Sequence, residues 1–280
     1  MPWSRAHYRW VLTTFCAAAL DLLAAPACAG CGVSRGDPGA PAVTGALCAS
    51  CRTQVRSATP IAWMLRPPSE RVAGDGQAPI PAFAAAAYEG SWRTILLAYK
   101  ERGWHALRGE LGSALVVACV AACLAVPVAA AGQPLLLVPI PSRPSSVRQR
   151  GHDAVRALSA VAASNLRRLG WPAVAAPVLR HMRRVADQSG LGVSMRAANL
   201  DGALGVRRRT LVDGRFVIIV DDIVTTGATA SEAARVLAAS GAHVQAVAAV
   251  AATPRRWPAG SAELGVSSAK RMLRAESIPS

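Results

Sequence analysis

Residues 216–229 read Phe216-Val217-Ile218-Ile219-Val220-Asp221-Asp222-Ile223-Val224-Thr225-Thr226-Gly227-Ala228-Thr229. The first five residues are apolar and mostly β-branched, a pattern typical of a strand that is buried on both faces of a parallel sheet. Two carboxylates follow, and open α/β sheets bind their ligands at the carboxyl ends of strands. This stretch therefore predicts an α/β fold with a central parallel sheet flanked by helices, and a ligand site beside the aspartates.

A Thr/Gly loop and the start of a helix follow the two aspartates. Thr229-Ala230-Ser231-Glu232 fits a capping box, with its first residue as N-cap and its last at the third helical position. Backbone N–H groups, the hydroxyls of Thr225 and Thr226 and the helix N-terminus converge there, which suits a phosphate, and Gly227 permits close approach. The sequence lacks a Walker pattern, so it predicts a different phosphate loop. The alternative is a strand–turn–helix with an acidic turn.

The chain is strongly basic, and its charge is unevenly distributed. It has 280 residues, of which 52% are hydrophobic, so one substantial core and a small accessory domain are expected. The net charge is +15, and the segment from Arg143 to Arg215 carries fourteen arginines and four aspartates, a net charge of +10. Such a segment favours phosphorylated ligands or nucleic acid as partners. The alternative is a solvated, arginine-rich surface.

A second candidate anion site follows the strand predicted over residues 135–141. It is a basic, Ser/Pro-rich loop at the carboxyl end of that strand, a common location for anion binding. Arginine suits pyrophosphate because its planar guanidinium can bind two oxygens at once. The candidate residues of this pyrophosphate loop are Ser142, Arg143, Arg148 and Arg150.

Four of the seven cysteines form two C-x-x-C pairs separated by sixteen residues: Cys28, Cys31, Cys48 and Cys51. Two such pairs can offer four thiolates to one tetrahedral Zn²⁺. Four protein ligands leave no open position, so the pattern predicts a structural zinc site. Unliganded thiols or a redox pair are the alternatives. The irregular cysteine spacing does not fit a secreted disulfide framework and favours a reducing cytoplasm.

Two apolar stretches resemble targeting or membrane segments. Residues 11–25 follow two arginines as in a signal peptide, but Asp21 interrupts them and favours an amphipathic helix. Residues 111–131 reach the length of a membrane span. Their alanine content, Pro127 and the lack of a second span favour a buried helix instead, so no integral membrane span is predicted.

The predicted organisation has four parts. Residues 1–52 form an N-terminal helix and the four-cysteine zinc domain, and residues 53–82 form a linker. Residues 83–253 form the α/β domain, and residues 254–280 form a disordered basic tail.

The sequence resembles the ComF/GntX family of phosphoribosyltransferase-like proteins. Residues 216–229 are similar to the 5-phosphoribosyl-1-pyrophosphate (PRPP) loop of type I phosphoribosyltransferases: an apolar strand, Asp-Asp, two residues and Thr-Thr-Gly-x-Thr. The family usually continues Arg-Gly with Phe-Asn-Gln, where this chain has His152-Asp153-Ala154. The other matching stretches are Asp21-Leu22-Leu23 with the four cysteines, Tyr88-Glu89-Gly90, Leu97-Ala98-Tyr99-Lys100 with Arg102-Gly103, Val138-Pro139-Ile140-Pro141 with Arg148 and Arg150-Gly151, and Gln188 with Arg196 and Asn199.

The resemblance implies a type I phosphoribosyltransferase fold, preceded by a small zinc domain, with PRPP and Mg²⁺ as ligands. It implies that the catalytic pair Asp221 and Asp222 holds the ribose hydroxyls, and that the 5-phosphate is cradled by Thr225, Thr226, Gly227, Ala228 and Thr229. It also implies a role in natural competence, with single-stranded DNA and the DNA-uptake machinery as partners. The expected location is the cytoplasm, with peripheral attachment at the inner face of the membrane.

Two classes of function stay open at this point. The first is a phosphoribosyltransferase that transfers the ribosyl group to a base or an amine. The second is a non-catalytic binding or regulatory protein on the same scaffold, which retains PRPP or nucleotide binding and binds single-stranded DNA through its basic surface. A hydrophobic acceptor pocket beside Asp221 would favour the first. Base stacking needs aromatic residues, and the basic segment has only Trp171.

Overall fold

The structure is a computed structural model that describes residues 27–34, 39, 42–65, 79–126, 133–182 and 202–253. The predicted N-terminal helix, the basic tail and the residues Gln188, Arg196 and Asn199 lie outside the described residues. The chain divides into two compact units. One comprises Met1–Ser57 with Glu89–Glu110, and the other comprises Ala58–Tyr88 with Leu111–Ser280.

The described residues of the first unit form a small hairpin and two helices. Its elements are β1 (Val43–Thr44), β2 (Leu47–Cys48), α1 (Ala49–Arg56) and α2 (Gly90–Glu101). The two strands pair antiparallel. Apolar residues of α2 recur at helical spacing, and Trp92, Ile95, Leu96 and Tyr99 are buried.

The second unit contains the sheet and the helices that connect its strands. In chain order its elements are β3 (Ile61–Leu65), β4 (Ile80–Ala87), α3 (Arg108–Ala125, whose first turn belongs to the first unit), β5 (Leu135–Pro139), α4 (Pro144–Arg150), α5 (Ala154–Arg168), β6 (Ala173–Ala175), β7 (Leu179–His181), β8 (Leu204–Val206), β9 (Phe216–Val224), α6 (Ala228–Ala238) and β10 (His243–Ala252). Short 3-10 turns lie at His105–Leu107 and Arg209–Leu211.

Six strands form the main sheet in the order β3-β4-β10-β9-β5-β6, and all neighbours except β3 and β4 pair in parallel. The predicted α/β fold with a central parallel sheet is therefore confirmed. From β5 the chain passes through α4 and α5 to β6, whereas from β9 it passes through α6 to β10 on the opposite side. The strand order thus reverses between β5 and β9, and open α/β sheets bind ligands in the crevice at such a point.

The central strand β9 is longer than the apolar run that predicts it. Its first half is buried as expected, with Val217 to Val220 fully inaccessible. The strand continues to Val224, because Ile223 and Val224 pair with Ala251 and Ala252 of β10. The two aspartates consequently lie within the last part of the strand and not after it.

Helix α3 is apolar on all sides because protein surrounds it. The segment His105–Ala125 contains an 18-residue stretch long and apolar enough to cross a membrane, with a mean hydropathy of 1.7, and 72% of that stretch is buried inside the protein. One close contact is at Gly112, where an added Cβ would clash with Val161 of α5. Burial in the core accounts for the composition of this helix, as the prediction of a buried helix expects.

Two segments differ from the predicted connections. The end of α1 and the strand β3 lie within residues 53–82, where the sequence predicts a linker, because Val55, Ala62 and Leu65 are buried. The predicted basic loop over residues 142–151 contains the helix α4, which begins at Pro144. Proline is favoured at the first helical position because its fixed φ suits the helix and its missing N–H would be unpaired there.

Candidate functional site

The two predicted carboxylates, Asp221 and Asp222, differ in burial. Asp221 is half-buried and pairs in register with Ala249 of β10, while Asp222 is only 3% exposed. The Asp222 backbone N–H donates to Asp221 Oδ1 at 2.9 Å, which fixes the first carboxylate against the strand.

The predicted phosphate loop is a short connection from β9 to α6. Gly227 has φ +75, and an added Cβ would clash with Leu65 Cδ1, so both the backbone conformation and the available space require glycine. Thr226 Oγ1 accepts a hydrogen bond from Ala228 N at 3.2 Å, and the exposed Thr225 accepts through its carbonyl from Thr253 Oγ1 at 3.1 Å. Helix geometry leaves the amides of Thr229 and Ala230 without an intrahelical acceptor, as an anion site needs.

The predicted capping box is wrong in its register. Helix α6 begins at Ala228 with Gly227 as its N-cap, two residues earlier than the box requires. Glu232 is buried at the fifth helical position and forms an ion pair with Arg235, with Arg235 Nε 2.7 Å from Glu232 Oε2. This carboxylate therefore has no capping role, because the left-handed glycine starts the helix before Thr229 can cap it.

The predicted pyrophosphate residues lie between β5 and α5. The Ser142 hydroxyl donates to Asp153 Oδ1 at 2.9 Å, and the same oxygen accepts from Arg156 N at 3.3 Å, so Asp153 caps α5 and closes the segment. Ser142 therefore has a structural partner in addition to the ligand role that the sequence predicts for it. Arg143 is half-buried at the N-cap of α4, and Arg148 is exposed.

Arg150 occupies the most constrained position of this segment. Its Nε donates to the Ser146 carbonyl at 3.1 Å, which directs the guanidinium back along α4. Its Nη1 atom is buried and has no acceptor among the described residues. A buried cationic donor without an acceptor is unfavourable, so this position suits an anionic group.

The structure brings the two predicted anion-binding segments together at the carboxyl ends of two adjacent strands. They follow β5 and β9, which are adjacent parallel strands with Pro139 opposite Val220. The Ile140 amide donates to the Val220 carbonyl at 2.9 Å, so the chain leaves β5 directly beside Asp221. Both segments therefore flank the crevice where the strand order reverses.

The four predicted zinc ligands, which belong to the first unit, form a compact cluster. The sulfurs of Cys28, Cys31, Cys48 and Cys51 all lie within 4.8 Å of one another, and Cys31 Sγ is 3.7 Å from Cys48 Sγ. A tetrahedral zinc with Zn–S bonds of about 2.3 Å needs sulfurs about 3.8 Å apart. Three of the thiols are buried and Cys31 is exposed. The residues present therefore fit a structural zinc ion.

Backbone amides favour the thiolate form of Cys28, whereas the pKa values of Cys31 and Cys51 are raised. Burial raises the pKa of Cys28, but the backbone amides of Cys48, Cys31 and Gly30 outweigh burial and lower the pKa to about 7. Burial and the neighbouring thiols raise the pKa of Cys51. Gly30 is required at the first knuckle, because an added Cβ would lie 2.7 Å from Cys51 Sγ.

Long-range contacts hold the two knuckles in place. Thr94 of α2 donates through Oγ1 to the Gly30 carbonyl at 2.7 Å. The guanidinium of Arg52 donates to the backbone carbonyls of Thr44 and Leu47 in the β1–β2 turn and pairs with Glu110, its Nε lying 3.1 Å from Glu110 Oε1. The sequence offers no local signal for these partners, since they lie up to 64 residues apart in the chain.

Comparison with known proteins finds a family model that matches part of the chain. Residues 158–263 match the family model described as phosphoribosyl transferase domain, a range that includes β9, the phosphate loop and α6 but neither residues 142–150 nor the cysteines. No curated protein matches the chain.

One of the solved structures that are similar to this chain is entitled "Structure of the allosteric regulatory enzyme of purine biosynthesis". It is 17% identical, with a TM-score of 0.30. The match covers 62% of this chain and spans about a third, 34%, of the other.

Proposed function

We propose that this chain is a phosphoribosyltransferase-like protein of the ComF/GntX family that binds PRPP together with Mg²⁺. One observation carries the proposal. The two carboxylates, the turn at Gly227 and the start of α6 follow one another at the point where the strand order reverses. The family match over residues 158–263 supports it. In this proposal the protein works in the cytoplasm, peripherally attached at the inner face of the membrane, in DNA uptake or nucleotide metabolism.

Each part of the site has a proposed task. The amides and hydroxyls of residues 225–229 hold the 5-phosphate, and Asp221 and Asp222 accept hydrogen bonds from the ribose hydroxyls. Arg143, Arg148 and Arg150 hold the pyrophosphate. Carboxylate oxygens are also the ligands that Mg²⁺ prefers, so the aspartates fit an ion that accompanies PRPP and supplies positive charge to its phosphates.

The reaction that this arrangement suits is displacement of pyrophosphate from C1 of the ribose. A bond would form between C1 and a base or an amine while the bond from C1 to the pyrophosphate oxygen breaks and its electron pair leaves with pyrophosphate. Fixed carboxylates position the sugar, and the arginines stabilise charge that develops on the leaving group.

A binding role without catalysis is the second candidate. The β7–β8 pair carries a cluster of exposed arginines. Arg180 lies within β7, and the residues directly after β8 are Arg207, Arg208 and Arg209. Such a surface would attract the phosphates of single-stranded DNA, with strong salt dependence. This candidate shares the scaffold and its ligand site but not the transfer reaction.

Calorimetric titration separates the two candidates. We expect PRPP to bind in a Mg²⁺-dependent manner, and a base or amine to release pyrophosphate in a subsequent screen. Binding of PRPP without release of pyrophosphate, together with tight binding of a single-stranded oligonucleotide, would favour the second candidate, and absence of PRPP binding would overturn the first.

We further propose one structural zinc ion per chain at the four cysteines. Replacing any one of them by serine should release the metal and loosen the first unit, because metal binding contributes to folding. Metal analysis of freshly reduced protein tests this. A protein without zinc would contradict the assignment.

A further inference from the structure

The ribbon formed by β7 and β8 packs into the second unit through one of its faces. Leu179 pairs with Val206, Arg180 with Gly205 and His181 with Leu204. Leu179 and Leu204 are buried in the same core cluster as the α6 residues Ala230, Ala233 and Leu237. Arg180 lies on the opposite face and is exposed. The strand alternation therefore places His181 on the same face as the core residues.

One contact ties this ribbon to the predicted pyrophosphate segment. His181 Nε2 lies 3.0 Å from the carbonyl oxygen of Pro141, the residue before Ser142. A carbonyl only accepts hydrogen bonds, so Nε2 must carry the proton. The bond can form in the protonated imidazole and in one neutral tautomer. His181 is half-buried, which shields this bond from water.

A second, separate contact ties the ribbon to the phosphate loop. Ala203, which precedes β8, is completely buried against Ala228, the first residue of α6. Ala228 follows Gly227 directly, so this pair of methyl groups lies at the turn that would approach the 5-phosphate. Strand β8 also packs against α6.

We propose that the ribbon holds the two anion-binding segments in the spacing that PRPP requires, with His181 as the positioning residue for the pyrophosphate segment. The inference rests on the proposed function, because it assigns each contact to one end of the same ligand. His181 acts on the pyrophosphate end through Pro141, and Ala203 acts on the 5-phosphate end through Ala228.

Three ligands test the pyrophosphate end and the 5-phosphate end of the site separately. They are inorganic pyrophosphate, ribose 5-phosphate and PRPP, each titrated with Mg²⁺ into the full-length chain. His181→Ala should weaken pyrophosphate and PRPP about threefold to tenfold, the effect of one lost hydrogen bond, and leave ribose 5-phosphate unchanged. His181→Gln carries an amide N–H that can reach the same carbonyl, and it should restore binding.

Ala203→Val provides the opposite pattern. It adds bulk at a completely buried position against Ala228 and should weaken ribose 5-phosphate and PRPP while leaving pyrophosphate unchanged. A variant that lost affinity only through general destabilisation would weaken all three ligands together.

The outcomes distinguish this inference from the proposed function. A wild-type chain that binds none of the three probes rejects the proposed function itself. A wild-type chain that binds all three, with His181→Ala weakening them equally or not at all, rejects only the positioning role. His181→Asn, which is polar but too short to reach Pro141, gives the same test where His181→Ala does not fold.

Discussion

The segments that follow β9 and β5 leave neighbouring strands at the same edge of the sheet, yet they are built differently. The loop after β9 relies on backbone geometry: a left-handed Gly227 and the first amides of α6. The segment after β5 relies on side chains with distant partners, such as Ser142 with Asp153. The geometry of the loop after β9 therefore depends on one glycine, whereas several side-chain hydrogen bonds together hold the segment after β5.

The two glycines provide the largest test of this difference. Gly227 and Gly151 have almost equal φ values, +75 and +77, but an added Cβ meets nothing within 4 Å at Gly151 and clashes with Leu65 at Gly227. Gly151→Ala should lower the free energy of unfolding by about 1–2 kcal/mol, the cost of the left-handed conformation. Gly227→Ala should lower the free energy of unfolding by the same amount and by about 1–3 kcal/mol more, because the added methyl group overpacks against Leu65. Urea unfolding measures both, and equal losses would contradict the distinction.

The double variant Asp221→Asn, Asp222→Asn tests what the loop recognises. Each lost charge-assisted hydrogen bond should cost about 1.5–3 kcal/mol, or roughly tenfold or more in PRPP affinity. Affinity for single-stranded DNA should instead rise, because two negative charges are removed. Calorimetry at matched salt compares the two ligands, with the exposed Asp213→Asn as a control for charge alone. Unchanged PRPP binding in a folded double variant would reject the site.

The arginines of the β5 segment should contribute unequally. Arg150 carries the buried Nη1, so Arg150→Ala should weaken pyrophosphate binding about tenfold. Arg148 is exposed, and Arg148→Ala should cost at most about fivefold. Raising the salt concentration should abolish the Arg148 effect and leave most of the Arg150 effect. Similar losses at both positions would show that the segment attracts anions by charge alone.

Substitutions of Asp153 should have the smallest effects on pyrophosphate affinity and stability. Asp153→Asn keeps an oxygen for Ser142 and for the helix cap but removes one negative charge, so pyrophosphate affinity should rise about twofold. Asp153→Ala removes the cap and should lower the free energy of unfolding by about 1 kcal/mol. Calorimetry and urea unfolding on the two variants separate charge from positioning. A weaker ligand affinity in Asp153→Asn would mean that the carboxylate itself is needed.

The sequence predicts the β9 loop better than the β5 segment because its signals are local. An apolar run, two aspartates and a glycine are neighbours in the chain, and they determine the strand and the turn. The capping register was wrong because the positive φ of Gly227 allows the helix to begin two residues earlier. Nothing local marks Asp153 as the partner of Ser142 or His181 as the partner of Pro141, since tertiary structure brings them together.

Two elements were hidden from sequence patterns for other reasons. The helix α4 carries no buried residue, so it has no apolar periodicity, and the signals present are Pro144 at its start and Gly151 at its end. The strand β3 is an antiparallel edge strand that pairs with β4, and its neighbours in sequence are rich in proline and glycine. The ligand assignments of Asp221, Asp222 and the arginines stay predictions.

The first unit is discontinuous, since it combines residues up to Ser57 with Glu89–Glu110. The polypeptide crosses from one unit to the other three times, so no single proteolytic cut or truncation can separate either unit from all residues of the other. During synthesis the cysteine cluster emerges first, but its unit lacks α2 until two strands of the sheet, β3 and β4, have already left the ribosome. The first unit can therefore be completed only after part of the second has been synthesised, unlike successive domains of a nascent chain, which usually fold as separate units.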